Sequence, residues 1–471
     1  MKNMSDDTKK VGSIGIKSFI SATIVIFALM VVTYILTFVI PSGEYGRITD
    51  ENGFIIIDVE SGFNYTEGGI PFWKWLLSPF LVLGAEGSFS IIAVIIFLLI
   101  IGGTFAVLEK CGLIKYMLQR LLASRLGKSK YALMAVIILF FMLLGAMVGS
   151  FEECVPLVPI VVALAIGLGW DVLTGMFMSI LAVGCGFASG VCNPFTVGVA
   201  QQLSGLPMFS GIWLRAISFI LIYFLLFAFV FRYAKKTEKR ADTGLFEKQI
   251  VKDKKSDRSS LLFLVILAMG IFAVIASGFI PAIQSFTMII VAAMFLIIGI
   301  VCPFVAGIEL KEYMRSFGKG VLGVLPAVLM ILMASSVRYV MQEAKILDTI
   351  LHAALNIADG LPKWTIVLFI YLVVLIMNFF IPSGSAKAFL LIPLILPVSQ
   401  LFGISMQLCI LAFAFGDGFS NVFYPTNPVL LISLGISGVS YGRWFKNVWK
   451  FQLVNLLLTS LILLFGFVVG Y

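Results

Sequence analysis

The chain has 471 residues, 61% of them hydrophobic and only 12% charged, with a formal net charge of +9. No water-soluble protein of this length hides that much apolar side chain, so the composition excludes a soluble domain and points to a multi-pass membrane protein. The basic surplus lies mostly in short loops beside apolar runs, the bias of cytoplasmic loops, and no aromatic-basic surface for nucleic acid is visible.

Residues 1–17 carry Lys2, Lys9, Lys10 and Lys17 ahead of an apolar run to Ile40. That run is too long for a signal-peptide core and lacks a small-residue cleavage site, so it reads as a first span with a cytoplasmic N-terminus. Residues 41–70 hold Glu44, Asp50, Glu51, Asp58, Glu60 and Glu67 against Arg47, which places this loop outside. Residues 71–84 mix Trp, Lys and apolar groups and read as interfacial, and a second span follows at about 88–108. The arm at 109–130 is amphipathic and basic and should lie on the cytoplasmic face. The loop at 232–258, with ten Lys or Arg against five acids, belongs on the same face.

These two anchors decide the path between them. Residues 131–168 must enter and leave from the cytoplasm as one hairpin with its tip at 149–154, because a full crossing by 131–148 would leave the 232–258 loop outside. An interrupted span at 172–205 and a full span at 211–231 complete the first unit. The second half repeats the plan, with spans at 260–279, 283–303 and 321–342, an arm at 343–362, a hairpin at 363–400 tipped at 382–387, an interrupted span at 406–436 and a last span at 443–470. The predicted fold is an all-α polytopic membrane protein with about nine transmembrane helices, two reentrant hairpins and two interrupted helices. Residues 1–231 form the first repeat unit, 232–259 a cytoplasmic linker, and 260–471 an extra helix plus the second unit, inverted because the extra helix starts it on the other side. An offset of 234 pairs Pro159 with Pro393, Gly169 with Gly403 and Asn193–Pro194 with Asn427–Pro428, while an offset of 232 pairs GCGF at 184–187 with GDGF at 416–419.

In hydrocarbon, broken helices survive only where they line protein or a water-filled cavity. Gly149, Gly184, Gly186, Pro194, Pro382, Gly384, Gly416, Gly418, Pro425 and Pro428 are the predicted break residues. The freed backbone groups and helix ends become available to a ligand, and Asn193, Thr196, Ser383, Ser385, Asn421, Thr426 and Asn427 add neutral donors and acceptors. Glu152, Glu153, Lys387 and Asp417 fall at membrane depth, where a charge costs at least about 2.5–3.5 kcal/mol on insertion scales and therefore suggests function. If all are ionised the site is net negative, which favours a cationic substrate or coupling cations. Blander readings exist: the glutamates could sit at a shallow tip, Lys387 could snorkel outward, and Gln201 and Gln202 could belong to a loop. His352 reads as a surface or packing histidine. The six cysteines form no CxxC pair, and neither an HExxH motif nor a second histidine is present, so no metal site and no cofactor is expected.

GFASGVCNPFTVGVAQQLSGLPMFSG at 186–211, FGDGFSN and PTNPVLL at 415–431, the IPSGEY after the first span, the FEEC tip and the IPSGS tip resemble the YfcC group of carriers. That group is related to the anaerobic C4-dicarboxylate uptake carriers of the ion transporter superfamily. The resemblance covers nearly the whole chain. It implies a homodimer of inverted-repeat protomers with elevator-type movement in a bacterial inner membrane, and small-molecule substrates that are dicarboxylates or basic amino acids. It also implies site roles for Glu152, Glu153, Asn193, Pro194, Thr196, Ser383, Ser385, Asp417 and Asn421. Two departures bear on the substrate: Lys387 stands where the group usually has a neutral polar residue, and the second break reads FYPTNP. The expected function is a secondary antiporter of basic amino acids, of the arginine/ornithine type. The alternative is a carboxylate carrier coupled to Na+ or H+. An intramembrane enzyme is not expected.

Overall fold

The computed structural model describes residues 16–49, 55–85, 88–123, 129–149, 151–207, 209–238, 253–279, 287–358 and 361–471. The predicted basic loop therefore lies partly outside the described residues. Apolar segments that cannot hydrogen-bond to water satisfy their backbone internally, so helix dominates.

The first half contains α1 (Ile16–Val39), α2 (Phe72–Leu81), α3 (Ser88–Lys110), α4 (Leu113–Ala123), α5 (Lys130–Leu143), α6 (Val158–Gly167), α7 (Val172–Met176), α8 (Ala182–Ser189), α9 (Val199–Leu203) and α10 (Ile212–Thr237). The second contains α11 (Lys254–Phe279), α12 (Thr287–Ala306), α13 (Leu310–Glu343), α14 (Leu347–Ala358), α15 (Lys363–Phe380), α16 (Gly384–Phe402), α17 (Met406–Asn421), α18 (Pro428–Ile436) and α19 (Tyr441–Val469). Among the described residues nine helical stretches are long and apolar enough to cross a membrane, so the chain is a multi-pass membrane protein. The number equals the expected one but the membership differs. It includes Lys130–Met147 and Lys363–Phe380, the first arms of the two predicted hairpins, and omits the first helix and the pieces of the 406–436 segment.

Two stretches depart from the sequence reading. The polar loop after α1 pairs into an antiparallel ribbon, β1 (Gly43–Thr49) with β2 (Ile55–Tyr65), in the register Gly43↔Tyr65 to Thr49↔Ile55. The run Ile55–Ile57 carried that signal, since β-branched residues favour a pleated surface. The ribbon is pinned to the α13–α14 corner: Asp348 accepts from the Tyr45 N–H at 3.0 Å and from Arg47 at 2.8 Å, and Phe63 stacks on His352 at 4.2 Å. Burial, with the Asp348 charge adding to it, raises the pKa of the Tyr45 hydroxyl. Second, the predicted span at 321–342 begins earlier: the basic segment with Lys311, Arg315 and Lys319 is the start of α13, one helix of 34 residues.

Each predicted hairpin returns to the end from which it starts. Tyr131, at the start of the first, lies 5.8 Å from the ring of Trp170, beyond its end. A side chain grown at Gly403, beyond the second, would approach Lys363 at its start. The first opens toward the end of α10, where Tyr131 bonds Glu238 at 2.6 Å. The second opens toward the start of α10, where Gln407 bonds Ser210 at 2.5 Å. α10 has 26 residues, about 39 Å at 1.5 Å per residue, so the two hairpins open at opposite ends of the molecule.

The 234-residue offset now relates whole elements: α4 to α14, α5 to α15, and α10 to α19. The packed pairs α3–α13 and α10–α19 run antiparallel. Lys110, ending α3, pairs with Glu312, starting α13, at 3.0 Å, and the Arg215 guanidinium near the start of α10 bonds Tyr471, after α19, at 3.4 Å.

Candidate functional site

The two interrupted segments meet at glycines. A Cβ at Gly184 would overlap Val422, and one at Gly418 would overlap the backbone of Ala188. The two contacts interchange under the offset of 234, because Gly184 corresponds to Gly418 and Ala188 to Val422. The crossing therefore follows 234, and the GCGF–GDGF match at 232 is out of step with it. This corrects four predicted helix breaks: Gly184 and Gly186 lie inside α8, and Gly416 and Gly418 inside α17. They permit close approach of helices instead. Gly186 would overlap Met142, and a Cβ at Gly416 would stand 2.7 Å from Val374, each on a hairpin arm. Gly384 likewise is the first residue of α16, where a Cβ would stand 2.6 Å from Thr196 and 2.8 Å from Asp417.

The breaks themselves fall at 190–193 and 422–427 and are built alike. Asn193 accepts from the N–H groups of Phe195 at 3.0 Å and Thr196 at 3.3 Å; Asn427 accepts from Val429 at 2.9 Å and Leu430 at 3.3 Å. Each is an N-cap followed by proline at the first helical position, Pro194 and Pro428, whose missing N–H costs nothing there. Pro382 and Pro425 lie in the non-helical links. Gly149, at φ 73°, ends a π-helical turn (Leu144–Val148) in the left-handed conformation that glycine adopts freely.

Both tips reach these breaks. Gly149 packs on Asn193, and the N–H of Cys192 bonds the Ala146 carbonyl at 2.9 Å. Glu152, at the tip, opens the 3-10 turn half-buried, where its carboxyl group and that of Asp417 oppose each other's ionisation. The Glu153 side chain lies outside the described residues. At the other tip Ser383 caps α16, accepting from Ala386 at 3.5 Å, and half-buried Ser385 follows in the first turn.

Lys387 does not snorkel. It lies in the first turn of α16, fully buried, with its ammonium 2.6 Å from the equally buried Asp417 carboxylate. It also donates to the Ile381 carbonyl at 3.0 Å and to the Asn378 side-chain oxygen. Asn378, which the sequence reading missed, ties the site together. Its amide donates to the Asp417 carbonyl at 3.0 Å, Ser420 at 2.6 Å and the Asn421 side chain at 3.0 Å, and Asn421 in turn accepts from Asn427 at 2.9 Å. A lone amide in the apolar run of α15 was the available signal. Gln201 instead belongs to a clasp at the start of α10, donating to Ser210 at 2.9 Å and Gln407 at 3.1 Å.

Several buried polar atoms at this convergence have no hydrogen-bond partner among the described residues: the amide nitrogen of Asn193, the hydroxyls of Thr196 and Thr426, and the Asp417 carboxylate oxygens apart from the contact of Oδ1 with Lys387. Unpaired buried polar atoms are costly, and a cluster of them on two helix breaks is what a ligand would satisfy. No group of three or more metal-ligating side chains occurs among the described residues.

The chain is similar to several known proteins. YfcC of Escherichia coli K12, whose description proposes a basic amino acid antiporter, is 29% identical, with 95% of this chain and 96% of YfcC aligned. An uncharacterized protein of Haemophilus influenzae is 26% identical over the same shares. Among solved structures, the YdaH transporter of Alcanivorax borkumensis (17% identity, TM-score 0.45, 96% of this chain and 99% of that one) and MtrF of Neisseria gonorrhoeae (16%, 0.44, 96% of each) are similar. The model of the DcuC family, the C4-dicarboxylate anaerobic carriers, matches residues 19–468. The chain therefore belongs to the DcuC family and is a membrane transporter, not an enzyme.

Proposed function

We propose that this carrier exchanges basic amino acids, of the arginine/ornithine type, across a bacterial inner membrane. The observation that carries the reading is the Lys387–Asp417 pair. With that lysine held by Asp417, Asn378 and the Ile381 carbonyl, the charge left over among the described side chains is Glu152, and Glu153 follows it in the sequence. Their sign suits a cationic side chain, which would gain charge-assisted bonds. The substrate α-carboxylate would lie at the first turn of α16, where Ser383, Ser385 and free N–H groups converge under the helix dipole. Thr196, Thr426 and the Asn193 amide supply further partners. The relative's proposed basic amino acid exchange supports the same choice.

The antiparallel elements and the opposed hairpins support an inverted repeat with reentrant hairpins, in units 1–231 and 260–471. Elevator-type movement of the hairpins and interrupted helices, in a homodimer with the N-terminus and the 232–259 linker cytoplasmic, completes the reading.

The family's name favours a second reading, a C4-dicarboxylate carrier coupled to Na+ or H+. In it Lys387 would have to leave Asp417 to bind a carboxylate. Proteoliposomes preloaded with ornithine, malate or nothing, and offered labelled arginine and labelled succinate, separate the two. Arginine uptake that requires internal ornithine is expected, weakened by Glu152→Gln and Glu153→Gln. Succinate uptake with arginine ignored would overturn the proposal.

A further inference from the structure

A polar cavity lies outside the Lys387–Asp417 cluster. It has a volume of about 290 Å3 and is walled by β1, the α13–α14 corner and the second hairpin. Three cations line it (Arg47, Arg338 and Lys345) against two acids, Glu44 and Asp348. Both acids are already engaged: Asp348 pairs with Arg47 at 2.8 Å, and Glu44 with Lys345 at 3.0 Å. Arg338 is left over. It forms no ion pair or hydrogen bond among the described residues, and its Nε is buried without an acceptor. A partly buried guanidinium with idle donors is costly, and it is a geometry that a carboxylate satisfies with two parallel bonds. Met341, Leu347, Phe389 and Leu390 supply apolar lining, and Ala386 presents only a methyl group on the hairpin side.

We infer that this cavity is a second binding site, taking a small monocarboxylate with a short aliphatic body. One uncompensated cation selects a single negative charge, and the apolar lining selects the rest of the molecule. The same charge repels the cationic solutes that the central site favours. The walls come from different parts of the fold: Arg338 and β1 stand on one side, and Ile381 to Leu390 belong to the hairpin that carries Lys387. An occupant therefore joins the ribbon to that hairpin.

Isothermal titration calorimetry with isocaproate as probe, on the purified full chain at constant ionic strength, tests the assignment. Saturable binding is expected. Arg338→Gln should weaken it by about tenfold or more, Ala386→Trp should block it from the hairpin side, and Arg338→Lys should retain part of it. Thr196→Val, at the central site, should leave it unchanged. Absence of saturable binding to the unaltered chain overturns the inference. So does undiminished binding to both Arg338→Gln and Ala386→Trp, or loss of binding in Thr196→Val alone, which would place the probe at the central site. Failure of arginine exchange leaves this result untouched.

Discussion

Lys387 and Asp417 are the most buried opposite charges in the described molecule, both at 0% exposure. Each compensates the other's desolvation, so removing one leaves an uncompensated charge, while replacing both leaves none. Lys387→Met and Asp417→Leu are each expected to destabilise the protein by about 3–5 kcal/mol, and the Lys387→Met/Asp417→Leu pair to recover much of that loss. Thermal melting of the three purified variants measures it. Additive losses in the double variant would show that the two groups do not act as a pair. The sequence displayed both charges, because ionisable groups in apolar runs stand out. It did not display their pairing, which joins positions 30 residues apart on different helices. Asn378 escaped for a related reason: nothing local distinguishes an amide that packs one helix from one that organises three.

The elements were legible wherever an apolar run had a clear end, and the matching Asn–Pro caps marked both breaks. Glycine was the ambiguous letter. In a span it signals either a break or a close crossing, and only the neighbouring helix decides. Gly149 proved to be the first kind; Gly184, Gly186, Gly416 and Gly418 proved to be the second. Gly418→Val should therefore drive a side chain into the Ala188 backbone and cost about 1–3 kcal/mol or more, seen as a lower melting temperature or loss of monodisperse protein. Gly442→Ala is the control. That helical glycine has open space around it, and alanine there should be neutral or slightly stabilising. Equal behaviour of the two variants would contradict the crossing. The β1–β2 ribbon was missed because an acidic loop outside a membrane carries no periodicity strong enough to outweigh its composition.

At the scale of the molecule, two hairpins opening at opposite ends require two faces that can be told apart chemically. Lys345 lies with the ribbon and the α13–α14 corner, whereas Arg443 stands 3.5 Å from Asp171 at the opposite end. In a background freed of the native cysteines, Lys345→Cys should react with a membrane-impermeant maleimide on intact cells. Arg443→Cys should react only after permeabilisation. The reverse pattern would invert the orientation, and labelling of both on intact cells would dissolve the two-faced arrangement. The multi-pass helical plan was readable because long apolar runs are whole-chain signals. Which charge pairs with which was not, and the halves differ at the tips: the offset of 234 sets Glu153 against Lys387.

The buried ion pair has an electrical meaning as well. A charge carried across a bilayer works against the resting voltage at about 2.3 kcal/mol per 100 mV, but a lysine and an aspartate that travel together carry no current. If the two groups move as one body, the voltage acts on the glutamates at the first tip and on whatever solute neutralises them. One-for-one exchange of monovalent cations would then be electrically silent, and recordings on planar membranes should show transport without steady current.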